Sequence, residues 1–358
     1  MNPSRIATEP GAQTLSEILS QPQRWSACLR KLASSKELEA AVQRARPGAE
    51  WIFVGCGTSY YLAQAAAAAF QHVGLAARPI PGSEILLYPA LSLPPGREYI
   101  PIMISRSGRT SEVVRAARVI EKDRNLRAIA ITCADGQPLE AECSLTLKLL
   151  DADEQSTVMT RSFTSMLLGL QYLAARITGR DDLITGLTQL ADEAAPLLEN
   201  NPQQLRLFVE SRDFEDCVFL AQGRLFGIAS ECMLKVTEAS CTYAQVFHSL
   251  EYRHGPKAVI SPDVLTMFLL SESSYEAEVE LLEEMKNLGA GTLVVANRLD
   301  ARAARAADFA IELGLNVPEF ARPAAYTVWG QLYGVYNGLK KGLNPDAPKN
   351  LTRVVVLD

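Results

Sequence analysis

The chain has 358 residues, 48% of them apolar, enough for two domains with full cores. A formal charge of −6 speaks against nucleic acid as a main partner, because polyphosphate binding needs a basic face. Seven cysteines with no CxxC pair and three histidines (72, 248 and 254) form no metal-ligand pattern, and no run is apolar enough for a leader peptide or a bilayer span.

The chain opens with a helical arm over residues 1–30, in which Thr14–Leu19 and Trp25–Leu32 flank Pro22. A first domain is expected over 31–180. It begins with the buried-strand run Ile52-Phe53-Val54, a glycine turn (Gly55-Cys56-Gly57) and a helix from Tyr60 to His72. The apolar run Tyr99–Ile104 leads into Ser105-Arg106-Ser107-Gly108-Arg109-Thr110, followed by an amphipathic segment to Ile120. Ala128–Thr132 and Leu145–Leu147 are further strands. The segment Arg180–Gln204, helical with Pro196 and Pro202 near its end, connects to a second domain over 200–341. There Val218–Gly223 repeats the strand and glycine turn, and a helix is expected from Arg224 to Tyr243. Leu265–Leu270, Thr292–Ala296 and Phe309–Ile311 follow as strands, and residues 342–358 form a Pro-rich tail ending in Val354-Val355-Val356-Leu357.

The two halves are a repeat. Gly57 and Gly223 lie 166 residues apart, and the same spacing relates Ser105 to Ser271 and Ser107 to Ser273. Uniformly apolar strands alternating with helices predict an α/β fold of two tandem doubly wound, flavodoxin-like parallel sheets. The Ser105–Thr110 turn joins a strand to a helix N-terminus, whose free N–H groups and dipole attract anions. Its hydroxyls, its glycine and the guanidinium groups of Arg106 and Arg109 suit a phosphate monoester; a Ser-rich helix cap is the other reading of the same residues. The second turn, Ser271–Glu276, carries Glu272 and no glycine, so the first copy is expected to hold the ligand. Glu231, Lys235 and Glu238 fall within about 60° on a helical wheel. They are either an exposed ion-paired face or a chemical one.

Five motifs now stand in order: Gly55–Tyr60, Ser105–Thr110, Thr160–Thr164, Glu251-Tyr252-Arg253-His254-Gly255-Pro256 and Pro348-Lys349-Asn350-Leu351. With them the chain resembles the double sugar-isomerase (SIS) domain family, in particular the isomerase half of glucosamine-6-phosphate synthase and stand-alone aminosugar-phosphate deaminases, isomerases and deglycases. Tyr60 stands where a dinucleotide fingerprint needs glycine, so no cofactor is expected.

The resemblance implies a hexose or hexosamine 6-phosphate held by Ser105, Ser107, Thr110 and the turn around Arg106 and Gly108. Cys56, Gly57, Thr58, Ser59, Val158, Met159 and Thr160 would line its pocket. It implies Glu238 as the proton shuttle between C1 and C2, Lys235 held by Glu231 to set local charge, and His254 for ring opening from a neighbouring subunit, hence a homodimer. His72 is expected to serve the helix dipole and His248 to have no chemistry. Arg353, expected to bind substrate, stands close to where the synthase's tail lysine forms a Schiff base and cannot act as an amine nucleophile; Lys349 is out of register. With Asn2 at position 2 and no glutaminase domain in 358 residues, glutamine-dependent synthesis by this chain alone is not expected. The leading expectation is a cytoplasmic aminosugar-6-phosphate deaminase/isomerase. A deglycase of an amine-linked fructose 6-phosphate, a plain phosphosugar isomerase and a non-catalytic phosphosugar-binding regulator are the alternatives.

Overall fold

The computed structural model describes residues 9–357; the first eight residues of the predicted arm and Asp358 of the tail lie outside them. Ten strands form two five-stranded sheets. The first holds β1 (Glu50–Gly55), β2 (Ala77–Pro81), β3 (Tyr99–Ile104), β4 (Ile129–Thr132) and β5 (Leu145–Lys148). The second holds β6 (Asp216–Ala221), β7 (Tyr243–His248), β8 (Val264–Leu270), β9 (Gly291–Ala296) and β10 (Phe309–Glu312). All pairings are parallel. The orders β2-β1-β3-β4-β5 and β7-β6-β8-β9-β10 are the same order in each copy. This is the doubly wound arrangement the repeat predicts.

Side-chain alternation divides each sheet into two faces. Trp51 and Phe53 of β1 face a core shared with Phe219 of β6, whereas Ile52 and Val54 face an outer core under the Ser111–Arg118 helix. Val218 and Leu220 likewise face the outer Tyr275–Asn287 helix. The shared core is filled by the helices Thr58–His72, Arg161–Thr178, Phe226–Ser240 and Pro323–Lys340, so the two repeats meet through helix packing. Glycines make the closest contacts. A Cβ at Gly227 would lie 2.6 Å from Ala65 N, and one at Gly334 would lie 2.8 Å from the Lys235 carbonyl oxygen. The arm packs on the first domain: Trp25 is buried and its Nε1 donates to Thr164 Oγ1 at 2.8 Å.

Two edge strands, β2 and β7, are absent from the sequence reading. They begin at Ala77 and Tyr243, the same 166-residue spacing as the rest of the repeat. The helix predicted to reach Tyr243 stops at Ser240, because Cys241 turns left-handed (φ 50°) and Tyr243 opens β7. All seven cysteines are free. Among the described residues no helix is long and apolar enough to cross a membrane, and no group of three or more His, Cys, Asp or Glu gathers as a metal site.

Candidate functional site

In an open parallel sheet the crevice lies at the strand C-termini, where neighbouring strands connect in opposite directions. In the first sheet that place is between β1 and β3. A cavity of about 340 Å³ opens there. The β1 loop supplies Cys56, Gly57, Thr58 and Ser59; Gly57, at φ 55°, lets the chain turn directly into the Thr58–His72 helix. The β3 turn supplies Arg106, Ser107, Thr110 and Glu112. Thr157, Val158 and Met159 close one side, and the tail residues Thr352–Val355 close another. Glu238 enters from the second repeat, on the helix that packs across the domain boundary.

The turn is built differently from the prediction at several positions. Ser107 and Thr110 border the cavity, but Ser105 is buried beneath it. Ser105 Oγ accepts from Gly108 N at 3.1 Å and lies 3.3 Å from Thr110 Oγ1, so it shapes the turn from inside. Gly108 does not line the cavity. It sits at φ 62°, and a Cβ there would meet Gln137 Cβ at 2.7 Å, so glycine is required by backbone shape and by packing rather than by a ligand. Thr160 is buried and spends its N–H and hydroxyl on Glu154. Arg106 lines the cavity, but its guanidinium is engaged elsewhere: it pairs with Glu154 Oε1 at 3.0 Å and donates to main-chain carbonyls. Arg109 is exposed. Arg353 borders the cavity, with its guanidinium paired to Asp153 at 3.0 Å.

The stripe on the Phe226–Ser240 helix is a buried cluster and not an exposed ion pair. Glu231 and Lys235 are 0% and 2% exposed. Lys235 Nζ donates to Glu238 and to Thr58 Oγ1 at 3.1 Å, and stands 3.5 Å from Glu231 Oε1. Neither Glu231 oxygen has a hydrogen-bond partner. Burial pushes its carboxyl up to about 8, with Lys235 opposing and Glu238 adding to the rise. On Lys235 burial works to lower the pKa, but the Glu231 and Glu238 carboxyls outweigh it and the ammonium is held. The cluster thus sets a carboxyl held up by burial behind the Lys235 ammonium, with Glu238 at the cavity wall.

His254 stands apart. It is exposed, in the loop after the Leu250–Arg253 turn, and does not line the cavity of its own chain. His248 stacks on Phe226 at 3.8 Å between ring centres. His72, at its helix end, stands 3.2 Å from Arg224, and burial together with that guanidinium holds its pKa down.

The second repeat's turn is already filled. The buried Glu278 carboxylate accepts from Ser271 N at 3.0 Å, Ser249 Oγ at 2.8 Å and Ser274 Oγ at 2.9 Å. Its counterpart at the 166-residue spacing is Glu112, which faces the first cavity instead. Glu112, Thr157 and the tail residues Thr352, Val354 and Val355 were not singled out from the sequence. Glu112 was detectable as the repeat mate of Glu278; the tail residues carry no periodic or motif signal.

The SIS domain model matches residues 50–176 and 214–332, one match on each repeat. A glutamine–fructose-6-phosphate aminotransferase (isomerizing) of Pyrobaculum aerophilum is 26% identical over 352 residues, 96% of this chain and 57% of that protein. The chain spans about half the length of the curated relatives it matches. A glucosamine-6-phosphate deaminase structure from Thermotoga maritima superposes with a TM-score of 0.77 at 29% identity, covering 97% of this chain and 100% of that one. The tagatose-6-phosphate ketose/aldose isomerase structure of Escherichia coli has a TM-score of 0.84 at 21% identity, covering 100% and 98%, a likeness of fold. With two matched copies on two sheets of one topology, the chain belongs to the SIS domain family.

Proposed function

We propose that the chain isomerises a hexosamine 6-phosphate between aldose and ketose forms and releases ammonia. The observation that carries this reading is the meeting of two repeats in one cavity: a hydroxyl-lined helix N-terminus from the first and the Glu238 carboxylate, backed by Lys235, from the second. The phosphate would rest on Ser107, Thr110 and the start of the Ser111–Arg118 helix. Anchoring it there holds C1 and C2 of the open-chain sugar in place.

Glu238 then takes the proton from C2 and returns it to C1. The electron pair released at C2 builds negative charge on the C1 oxygen, which the Lys235 ammonium stabilises. Reprotonation at C1, with the C1 oxygen taking a proton from the C2 amine, leaves a C1 hydroxyl and a ketimine at C2, which water hydrolyses to the ketose phosphate and ammonia. Glu231, whose carboxyl burial pushes up to about 8, lies directly behind Lys235. His254 does not line the cavity of its own chain; in a homodimer it would act from a second copy of the chain. The name of the Thermotoga maritima relative, a glucosamine-6-phosphate deaminase, supports the same reading.

The test is ammonia release from glucosamine 6-phosphate and galactosamine 6-phosphate. Wild type releases it from one of them, and Glu238→Gln binds the sugar phosphate without turnover. Turnover of an unaminated aldose phosphate with no ammonia from either aminosugar reassigns the chain as a plain isomerase. Binding without any turnover by wild type makes it a regulator.

A further inference from the structure

Arg106 stands inside the turn and borders the cavity, yet its guanidinium bonds go to Glu154 and to main-chain carbonyls. Its side chain is 5% exposed and reaches two stretches of chain that are distant in sequence. Nη1 pairs with Glu154 Oε1 at 3.0 Å and donates to the carbonyls of Ser156 at 3.1 Å and Val158 at 3.3 Å. Nη2 donates to the Thr157 carbonyl at 3.0 Å and to the Arg353 carbonyl at 2.8 Å. Thr157, Val158 and Arg353 all line the cavity.

Glu154, fully buried, continues the clasp. It accepts from the N–H groups of Thr160 and Ser162 and from both their hydroxyls, which sets it as an anion on the N-terminus of the Arg161–Thr178 helix. The grip is reciprocal, since the Arg353 guanidinium donates to the Glu154 carbonyl while Arg106 holds the Arg353 carbonyl. Beyond Arg353 the tail is tied to the helix of the phosphate turn: Ser111 N donates to the Val355 carbonyl at 3.2 Å and Leu357 N donates to Ser111 Oγ at 2.9 Å.

We propose that Arg106 is a positioning residue: with Glu154 it fixes the Thr157–Met159 wall and the C-terminal strap in place over the substrate, and it does not bind phosphate itself. A planar fork of five donors can hold several carbonyls and a carboxylate at once; an ammonium at the same place holds fewer and lacks the planar geometry. Substrate that reaches beyond its phosphate would feel the loss, and bare phosphate would not. The inference rests on the hexose-phosphate reading for the ligand but not for the strap, which can be followed without ligand.

The experiment compares wild type with Arg106→Lys, and with the double variant Arg106→Gln/Glu154→Gln, which removes both buried charges together and keeps a foldable core. Amide exchange over Val354–Leu357 is measured without ligand, and dissociation constants are measured for inorganic phosphate and for glucosamine 6-phosphate. The expected result is faster tail exchange in both variants, about a tenfold or greater loss of sugar-phosphate affinity, and phosphate affinity within about twofold of wild type. Equal losses for phosphate and sugar phosphate would make Arg106 a direct ligand and overturn the proposal, as would tail exchange unchanged in both variants. If wild type binds no sugar phosphate, the functional reading fails while tail exchange still decides the role of Arg106.

Discussion

Replacing Glu231 by Gln is expected to stabilise the protein increasingly as the pH rises. Glu231 has no hydrogen bond to either oxygen, and burial raises its carboxyl from 4.5 to about 8. The folded chain thus keeps a proton that the unfolded chain has lost across that window. Stability falls wherever the native state binds more protons than the unfolded state, so wild type loses it from about pH 4.5 to pH 8. The penalty approaches roughly 5 kcal/mol at the upper end, at about 1.4 kcal/mol per pH unit. Above pH 8 both states are ionised and the loss levels off. Glutamine has nearly the same shape and cannot ionise. Urea unfolding of both proteins from pH 5 to pH 9 therefore gives a difference in favour of the variant that climbs to about pH 8 and then stays flat. A difference that is constant with pH, or that turns against the variant as pH rises, refutes the neutral-acid assignment and makes Glu231 an ordinary ion-pair partner of Lys235.

Two further outcomes follow from packing and from the second turn. Gly334→Ala puts a methyl 2.8 Å from the Lys235 carbonyl, so the Phe226–Ser240 helix must shift; a stability loss of about 1–3 kcal/mol with a larger fractional loss of kcat is expected, and a variant with wild-type denaturation and turnover contradicts it. Because Glu278 fills the second repeat's turn, titration calorimetry with a hexose 6-phosphate should give one site per chain; two equivalent sites would show that its carboxylate yields to a ligand.

Much of the architecture is legible in the residues. Buried parallel strands are apolar along their whole length, so β1, β3, β6 and β8 stand out, and the 166-residue repeat ties them into two equal units. Edge strands are paired on one side and partly solvated, which weakens that signal: β5 and β10 are still legible, but β2 and β7 are not. In β2, Ala77-Arg78-Pro79-Ile80-Pro81, two prolines mask the strand, and β7 is at most half-buried throughout. The hydroxyl turn and the Glu231–Lys235–Glu238 stripe were visible as patterns, yet each had two readings. A wheel shows which residues share a face but not what covers it.

The amino-acid order alone thus determined the repeat and the sheet class, because these depend on local periodicity. Folding in three dimensions decided the rest. Only the Pro323–Lys340 helix and the first repeat, packed on the second repeat's helix, make Glu231 and Lys235 a dry cluster. Only contacts with Glu154–Val158 and with a tail more than 240 residues away occupy the Arg106 guanidinium, which the turn by itself presents as a candidate phosphate ligand. Burial and long-range contact set the charge state and aim of a side chain, and neither is written in the residues beside it.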